Sequence, residues 1–571
     1  MRILALHAGM HDAAAAAFDD YQLVAAISEE RLTRQKGYGQ SVPWLAIDEV
    51  LRIAGWRRNE VDAIALTRGF HPTYHLRVPL WRELRYSLER VRGTGRDYRD
   101  LAILSRRFGT ADTLSIFHSE RFLRDNAFRA DTQIHFANHH ESHALAALFF
   151  TDWNDALVYT SDGIGDNVSY SMRGLKNGTL ECFWGDDRQL LQKVSEAGLA
   201  SAYGYATVAC GFKMLRHEGK LTGLAAYGEP KLADVMAAQF RFNEANGQIE
   251  TDFANWEAMR VKFLALCERH DRETIAASIQ KVAEDFTVKS VGWWLRRTGA
   301  RKLALAGGLF ANVRLNRLLA ETLPVDEVFV FPAMGDDGLP VGAGLSFLHK
   351  RDGTETWLRH RHRLDNVYLG QDFNGRIDSV LQAAGMRMLP GRPVDNAVDL
   401  IRVGKAGAIY WGRMEYGPRA LGARSIIASP HDHAINDNLN KRLDRSEFMP
   451  FAPFVLEEDA ARVFEITDVN RYAAHFMTIT CGVKPEWRTR IPAVVHVDGT
   501  ARPQIVRDED NPLFAAILRR FRDQTEIPVL INTSFNVHEE PIVNRPEECL
   551  KALEDGRVDF VVTERGVYVK G

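Results

Sequence analysis

The segment DALVYTSDGIGDNVSYSMRGLKNGTLECFW, residues 155–184, reads as a buried strand, an Asp-Gly turn, a second strand, a turn and a third strand. The chain opens in the same way. RILALHAG (2–9) is a strand, HDAAAAAFDDYQLVAAISEERLTRQKGY (11–38) continues through a turn at Asp19 and Asp20 into another, and EVDAIALTRG (60–69) offers a further one. Helical stretches around residues 230–300 follow the quoted segment, and RKLALAGGLFANVRLNRLLAE (301–321) then gives a strand, a Gly-Gly turn and a helix. Two openings of one form predict a duplicated α/β lobe rather than a single doubly wound sheet. The polar stretch HKRDGTETWLRHRHRLDN (349–366) reads as an interdomain linker. It places one domain over residues 1–355 and a second α/β domain over 362–571, with AGAIYWG, FAPFVL, IPAVVHVDG and IPVLINTSFN as strands.

The 571 residues are 46% hydrophobic and 26% charged, ordinary for a globular chain of about two to four domains. A net charge of −3 gives no general footprint for nucleic acid. The Arg-rich stretch 75–109 reads first as an amphipathic helical insert with a solvated face; the sharper alternative is contact with an anionic acceptor or a membrane surface. Five scattered cysteines without a CxxC pair argue against zinc ribbons and disulfide frameworks and fit a reducing cytoplasm. The first residues are too polar for a signal peptide, and no apolar run approaches the roughly 18 residues of a membrane span.

IHFANHHESHALAALFF (134–150) carries the first candidate site. Asn138 is an N-cap with Glu141 three residues on, so a helix starting at His139 puts His139 and His143 on one face, while His140 points about 100° away. A divalent cation could be held by that pair; surface or capping histidines are the alternative. Carboxylate partners are available in Asp162, at the end of a buried strand, and Asp336, after the strand 328–332. Each could equally be a turn residue or helix cap. For nucleotide phosphates, Gly307 and Gly308 with Asn312, and Lys220 between Gly219 and Gly223, supply glycine turns and donors, although GKLTG lacks the P-loop spacing.

The ordered blocks HDAAAAAF…SEERLTRQK, NHHESHA, SDGIGD, GKLTGLAAYG, AGGLFANVRLN, GDDG, GRMEYGPRALGARSI, FMPFAP, TARPQIV and INTSFNVHEEPIV resemble the O-carbamoyltransferases of the NodU/CmcH/TobZ type over nearly the whole chain. The resemblance implies a TsaD-like N-terminal domain of the actin, sugar kinase and Hsp70 superfold, and a YrdC-like C-terminal domain. It implies hydrolysis of carbamoyl phosphate in the second domain, inward passage of carbamate, activation by ATP as carbamoyl adenylate, and transfer to a hydroxyl of a sugar or natural product in the first.

Residue by residue, His139, His143, Asp162 and Asp336 match the family's metal ligands, with iron(II) the implied ion; the donor set alone admits manganese or magnesium. His11 matches a histidine beside the transferring carbamoyl group, where a general base belongs; a hydrogen-bonded structural histidine is the alternative. Arg419 and Arg502 match phosphate-binding arginines, Arg419 with a catalytic part, and Asn532, Thr533 and Ser534 add neutral donors. Family members carry a lysine in an IKxRExFRPFAP block with arginine before the proline. Here the text is LNKRLDRSEFMPFAP, with Met449 at that arginine's place, so Lys441, Arg442 or Arg445 is left to supply the charge. The resemblance leaves a homodimer open. Its competitors are a fused threonylcarbamoyl transferase acting on tRNA, which needs an RNA surface, a hydrogenase-maturation carbamoyltransferase, which needs zinc fingers, and a silent nucleotide-binding scaffold, which has no need of both residue sets.

Overall fold

The computed structural model describes residues 1–39, 41–77, 98–192, 197–444 and 450–571. Among these residues, two five-stranded sheets share one topology. The first contains β1 (Arg2–His7), β2 (Ala14–Asp19), β3 (Gln22–Ser28), β4 (Ala63–Thr67) and β5 (Gln133–Ala137), in the order β3-β2-β1-β4-β5. Helix α1 (His139–Phe149) leads out of it. The second contains β6 (Asp155–Gly165), β7 (Val168–Lys176), β8 (Thr179–Trp184), β9 (Lys302–Ala306) and β10 (Glu327–Val330), in the order β8-β7-β6-β9-β10. In each sheet the first three strands form an antiparallel meander and the last two run parallel to the first. The duplicated lobe read from the two strand-turn-strand openings is therefore present as matched topology.

Why the lobes stay together is visible in α1 and α2 (Leu339–Arg359). Helix α1 packs on β6 and β9, α2 packs on β1, β2 and β4, and the two helices pack on each other between the sheets. Their approach requires Gly342, since a Cβ there would lie 1.8 Å from the Ser142 carbonyl oxygen. The resulting core joins Ala144–Phe150 to Ile3, Phe18, Phe329 and Val341, and extends to Tyr472 and Phe476 of the C-terminal half.

The third sheet is mixed and eight-stranded, running 387–388, 567–569, 560–562, 407–410, 424–428, 529–534, 452–456 and 504–506. Pro393–Arg402 and Pro512–Thr525 cover one face, Asn374–Ala383 and Pro546–Glu554 the other. Both faces are buried, as the apolar strands require.

Two expectations change, and a third falls largely outside the described residues. The polar stretch at 349–366 is helical as far as Arg359, because Trp357 is fully buried and its indole N–H donates to the Leu345 carbonyl; the helix breaks only at Gly353, with φ of 77°. IPAVVHVDG holds a 3₁₀ turn, Pro492–Val494, in place of a strand. Proline there cannot donate to a ladder. Residues 78–97 of the Arg-rich stretch lie outside the described residues; its flanks pair as short strands, Phe70–Pro72 with Tyr98–Asp100, and continue into helix Leu101–Phe108. Among the described residues no helix is long and apolar enough to cross a membrane. All five cysteines are free.

Candidate functional site

Four donors meet between the two lobes. Asn138 caps α1 by accepting the Glu141 N–H at 3.0 Å, so the helix starts where its sequence predicts and presents His139 and His143 together. Asp162 sits on the irregular end of β6, and Asp336 on the turn that opens α2. One ligand atom from each of these residues lies within 4.8 Å of the other three. His143 Nε2 is 3.2 Å from Asp162 Oδ2 and 3.4 Å from Asp336 Oδ1; His139 Nε2 is 3.5 Å from the same Asp336 oxygen. His139 Nε2, His143 Nε2 and Asp336 Oδ1 are buried and make no hydrogen bond, a costly state for polar atoms unless a ligand completes them. Two imidazoles and two carboxylates converging in this way fit a divalent transition-metal ion.

Surrounding residues fix this geometry. The Gly308 N–H donates to Asp162 Oδ2 at 2.9 Å, and the Gly163 N–H to Oδ1 at 2.5 Å. Asp166 accepts the His139 N–H at 2.9 Å and is itself held by Arg68 at 2.7 Å, which also reaches Asp187. Gly165 has to lack a Cβ, because one would fall 2.1 Å from the His139 ring. His140 is spent structurally: its Nε2 donates to the Val168 carbonyl at 3.0 Å, and its Nδ1 meets the Thr160 hydroxyl.

Two further histidines face Asp336. His11 Nδ1 is 2.8 Å from Asp12 Oδ2, which turns Nε2 toward Asp336 Oδ2 at 3.8 Å. His7, singled out by no motif, bonds Thr67 through Nδ1 and brings Nε2 to 3.6 Å from the same oxygen. Its position at the end of β1 is the signal that could have found it.

The electrostatics follow from two carboxylates in a buried site. Burial disfavours the charge on His143, but the close Asp162 and Asp336 carboxylates prevail and push its pKa up to about 9. Burial likewise opposes charge on His11, and Asp12 and Asp336 overcome it, to about 10. Burial alone would raise Asp336; His139 and His143 hold it well below the carboxylate range. A raised folded pKa stabilises below the unfolded value and is lost as pH rises through the folded one. Without added cation, the melting temperature is therefore expected to fall between pH 6.5 and about 9 as His143 gives up its proton. A divalent cation should flatten that slope, because it replaces the proton. Melts that are flat across this window without cation would contradict the assignment.

A second feature lies where the two lobes meet the third sheet: a cavity of about 320 Å³. Lys220, Gly223, Ala311 and Val313 line it from the N-terminal half, and Arg419, Arg502, Asn532, Thr533 and Ser534 from the C-terminal half. The structure thus brings most of the expected anion-site residues to the same cavity as Lys220. The loop carrying Arg419 also touches the Asp336 turn: Tyr416 donates its hydroxyl proton to the Asp337 carbonyl, and Arg31 donates to the Gly417 carbonyl at 2.8 Å.

Other expected residues are elsewhere. Gly307 and Gly308 form the turn that braces Asp162, and Asn312 caps the helix Val313–Thr322 through Leu315 N while its amide bonds Gln280 at 2.8 Å. None of the three lines the cavity. Lys441 is exposed at the end of its helix and is not a lining residue; Arg442 pairs with Asp559 at 2.9 Å. Arg445 and Met449 lie outside the described residues. Positive charge arrives instead from the N-terminal half, on Lys36, Arg216 and Arg314, none of which belongs to a phosphate motif. At the cavity wall Glu539 spans the two halves, bonding His217 Nε2 at 2.6 Å and Lys213 Nζ. Burial would raise its pKa, but the hydrogen bonds from Lys213 and His217 bring it down to about 2.

Comparison with known proteins agrees with this arrangement. Family models described as carbamoyltransferase N-terminus and carbamoyltransferase C-terminus match residues 2–345 and 398–570. An uncharacterized protein of Synechocystis sp. is 31% identical over 616 aligned residues, covering 100% of this chain and 96% of its own length. The nodulation protein NolNO of Sinorhizobium fredii is 31% identical over 587 residues, covering 98% of this chain and 78% of its own. An uncharacterized protein of Methanocaldococcus jannaschii is 32% identical over 465 residues, covering 78% and 74%. With both models matched in order on one chain, and both residue sets gathered in its interior, the protein belongs to the carbamoyltransferase family.

Proposed function

We propose that this protein is an ATP-dependent O-carbamoyltransferase that converts carbamoyl phosphate and ATP, through carbamoyl adenylate, into a carbamoylated hydroxyl on a sugar or natural-product acceptor. The observation that carries the reading is the shared cavity, lined by Lys220 of the N-terminal half and by Arg419 and Arg502 of the C-terminal half. In this reading residues 1–355 form a TsaD-like domain and 362–571 a YrdC-like domain, and the cavity is where they meet.

Arg419 and Arg502 hold the phosphate of carbamoyl phosphate, since guanidinium forks match oxyanion geometry. Passage of carbamate through the interior would keep it from bulk water that would decompose it. Lys220 faces the nucleotide phosphates. A divalent cation, iron(II) by family resemblance, held by His139, His143, Asp162 and Asp336 would neutralise nucleotide phosphates and balance the carboxylate charge that keeps His11 protonated. His11, oriented by Asp12, would in its neutral form accept the acceptor's hydroxyl proton through Nε2.

Incubation with carbamoyl phosphate and ATP, without acceptor, tests the reading: phosphate and pyrophosphate should both be released, the second only when the first substrate is present. Pyrophosphate release that ignores carbamoyl phosphate would refute it. Enclosure has its own test. A mixture of Arg419→Ala and His139→Ala proteins is expected not to regain activity at ordinary concentrations, because carbamate made by the second would have to cross water to reach the first. Full complementation by folded, cation-loaded partners would mean that carbamate escapes freely.

A further inference from the structure

One residue lining the cavity carries a polar atom that the protein leaves unanswered. Asn532 lies on the strand Val529–Ser534, opposite Ala452 on the neighbouring strand, and both residues line the cavity. Its side chain is 1% exposed. Its Nδ2 donates to the Ala420 carbonyl at 3.0 Å and to Gln504 Oε1 at 2.6 Å, with Met477 Sδ alongside at 3.6 Å. Both protons of the amide are therefore used. Its Oδ1 is buried and, among the described residues, receives no hydrogen bond.

The orientation of this amide is settled by its partners. A backbone carbonyl such as Ala420 can only accept, so the atom facing it must be the NH₂ group. Gln504 is fixed the same way: its Nε2 donates to the Leu421 carbonyl at 2.8 Å, which leaves Oε1 to face Asn532. Turning the Asn532 amide over would set its oxygen against two acceptors at once. The sequence casts Asn532 as a neutral donor to the substrate. The structure gives both its donors to the protein and leaves an acceptor.

We propose that Asn532 is the residue that selects a carbamoyl group at the anion site, its Oδ1 accepting a hydrogen bond from the amide N–H of the bound acyl phosphate. The inference rests on the reading of the Arg419 and Arg502 wall as the acyl phosphate site. A carbamoyl group offers an N–H where an acetyl group offers a methyl. The methyl would leave a buried acceptor unpaired, and such sites discriminate strongly against the analogue that lacks the donor. The two arginines grip phosphate in either ligand and cannot make this distinction.

Equilibrium binding of two non-hydrolysable phosphonates to the wild-type chain tests it. Phosphonoacetamide carries the amide and acetonylphosphonate carries a methyl in its place; the amide is expected to bind about tenfold to a hundredfold more tightly. Equal affinities would overturn the role of Asn532 while leaving the anion site standing. Binding of neither, with ATP still bound, would overturn the anion site and this inference with it. In Asn532→Ala the preference should collapse through weaker amide binding with unchanged methyl binding. A purely structural role would instead weaken both ligands together, and would count against the proposal. Should the variant fail to fold, the wild-type comparison decides alone.

Discussion

His139→Ala and Asp336→Asn proteins are expected to lose pyrophosphate release by about three orders of magnitude or more, the scale of several kcal/mol of charge stabilisation at a nucleotide phosphate. Phosphate release from carbamoyl phosphate should stay largely intact, because Arg419, Arg502 and Asn532 line a wall formed by the third sheet and its loops. The fold should survive. His139 Nε2 and Asp336 Oδ1 have no hydrogen-bond partner, so removing either orphans no protein donor. A chelator applied to the wild type should reproduce the loss, and added divalent cation should reverse it. Unaltered transfer by chelator-treated His139→Ala would sink the metal assignment.

Arg419→Lys should damage the other half-reaction although the charge is kept. Lysine offers a point charge where a planar fork is proposed, and losing a charge-assisted hydrogen bond costs about 1.5 to 3 kcal/mol, a factor of roughly ten to a hundred in rate. The defect should appear in carbamoyl phosphate turnover and spare ATP binding. A variant that hydrolyses carbamoyl phosphate normally would show that the fork is not used. One complication can be followed directly. The Arg419 loop touches the Asp336 turn through Tyr416, so cation affinity should be measured alongside; a fall there would mean the substitution has shifted the loop rather than the fork alone.

The convergence of His139, His143, Asp162 and Asp336 was legible because each member stands at a place that chain grammar marks: an N-cap and the turn after it, a strand end, a glycine-rich turn. The strand-turn-strand repeat likewise announced two lobes, since hairpins are local and their turn residues are visible. What could not be read depends on distant packing. His7 looks like the last residue of an apolar strand, and only the matching strand end in the other lobe brings Asp336 to it. Lys36 and Arg216 have no phosphate motif around them, and they reach the cavity only because the two lobes pack against the third sheet. Asn312 and Gly308 show the converse. A glycine turn followed by asparagine fits a phosphate cradle and also fits a helix cap that braces a carboxylate, and these residues are engaged in the second way. The stretch at 349–366 misled because its single tryptophan outweighs its many charges: burying Trp357 draws the polar residues into a helix.

The spacing of the four donors sets an order of events while the chain is being made. His139, His143 and Asp162 leave the ribosome close together, and Asp336 follows roughly ten to thirty seconds later at common synthesis rates of about 5–20 residues per second. During that interval a nascent chain offers two imidazoles and one carboxylate, a set that any abundant divalent ion can sample and leave. The fourth donor arrives on the turn that opens α2, the helix that also packs the first lobe against α1. The full set of four donors is therefore assembled only as the lobes dock, so a cation that prefers all four would add its binding free energy to the closure of one lobe on the other.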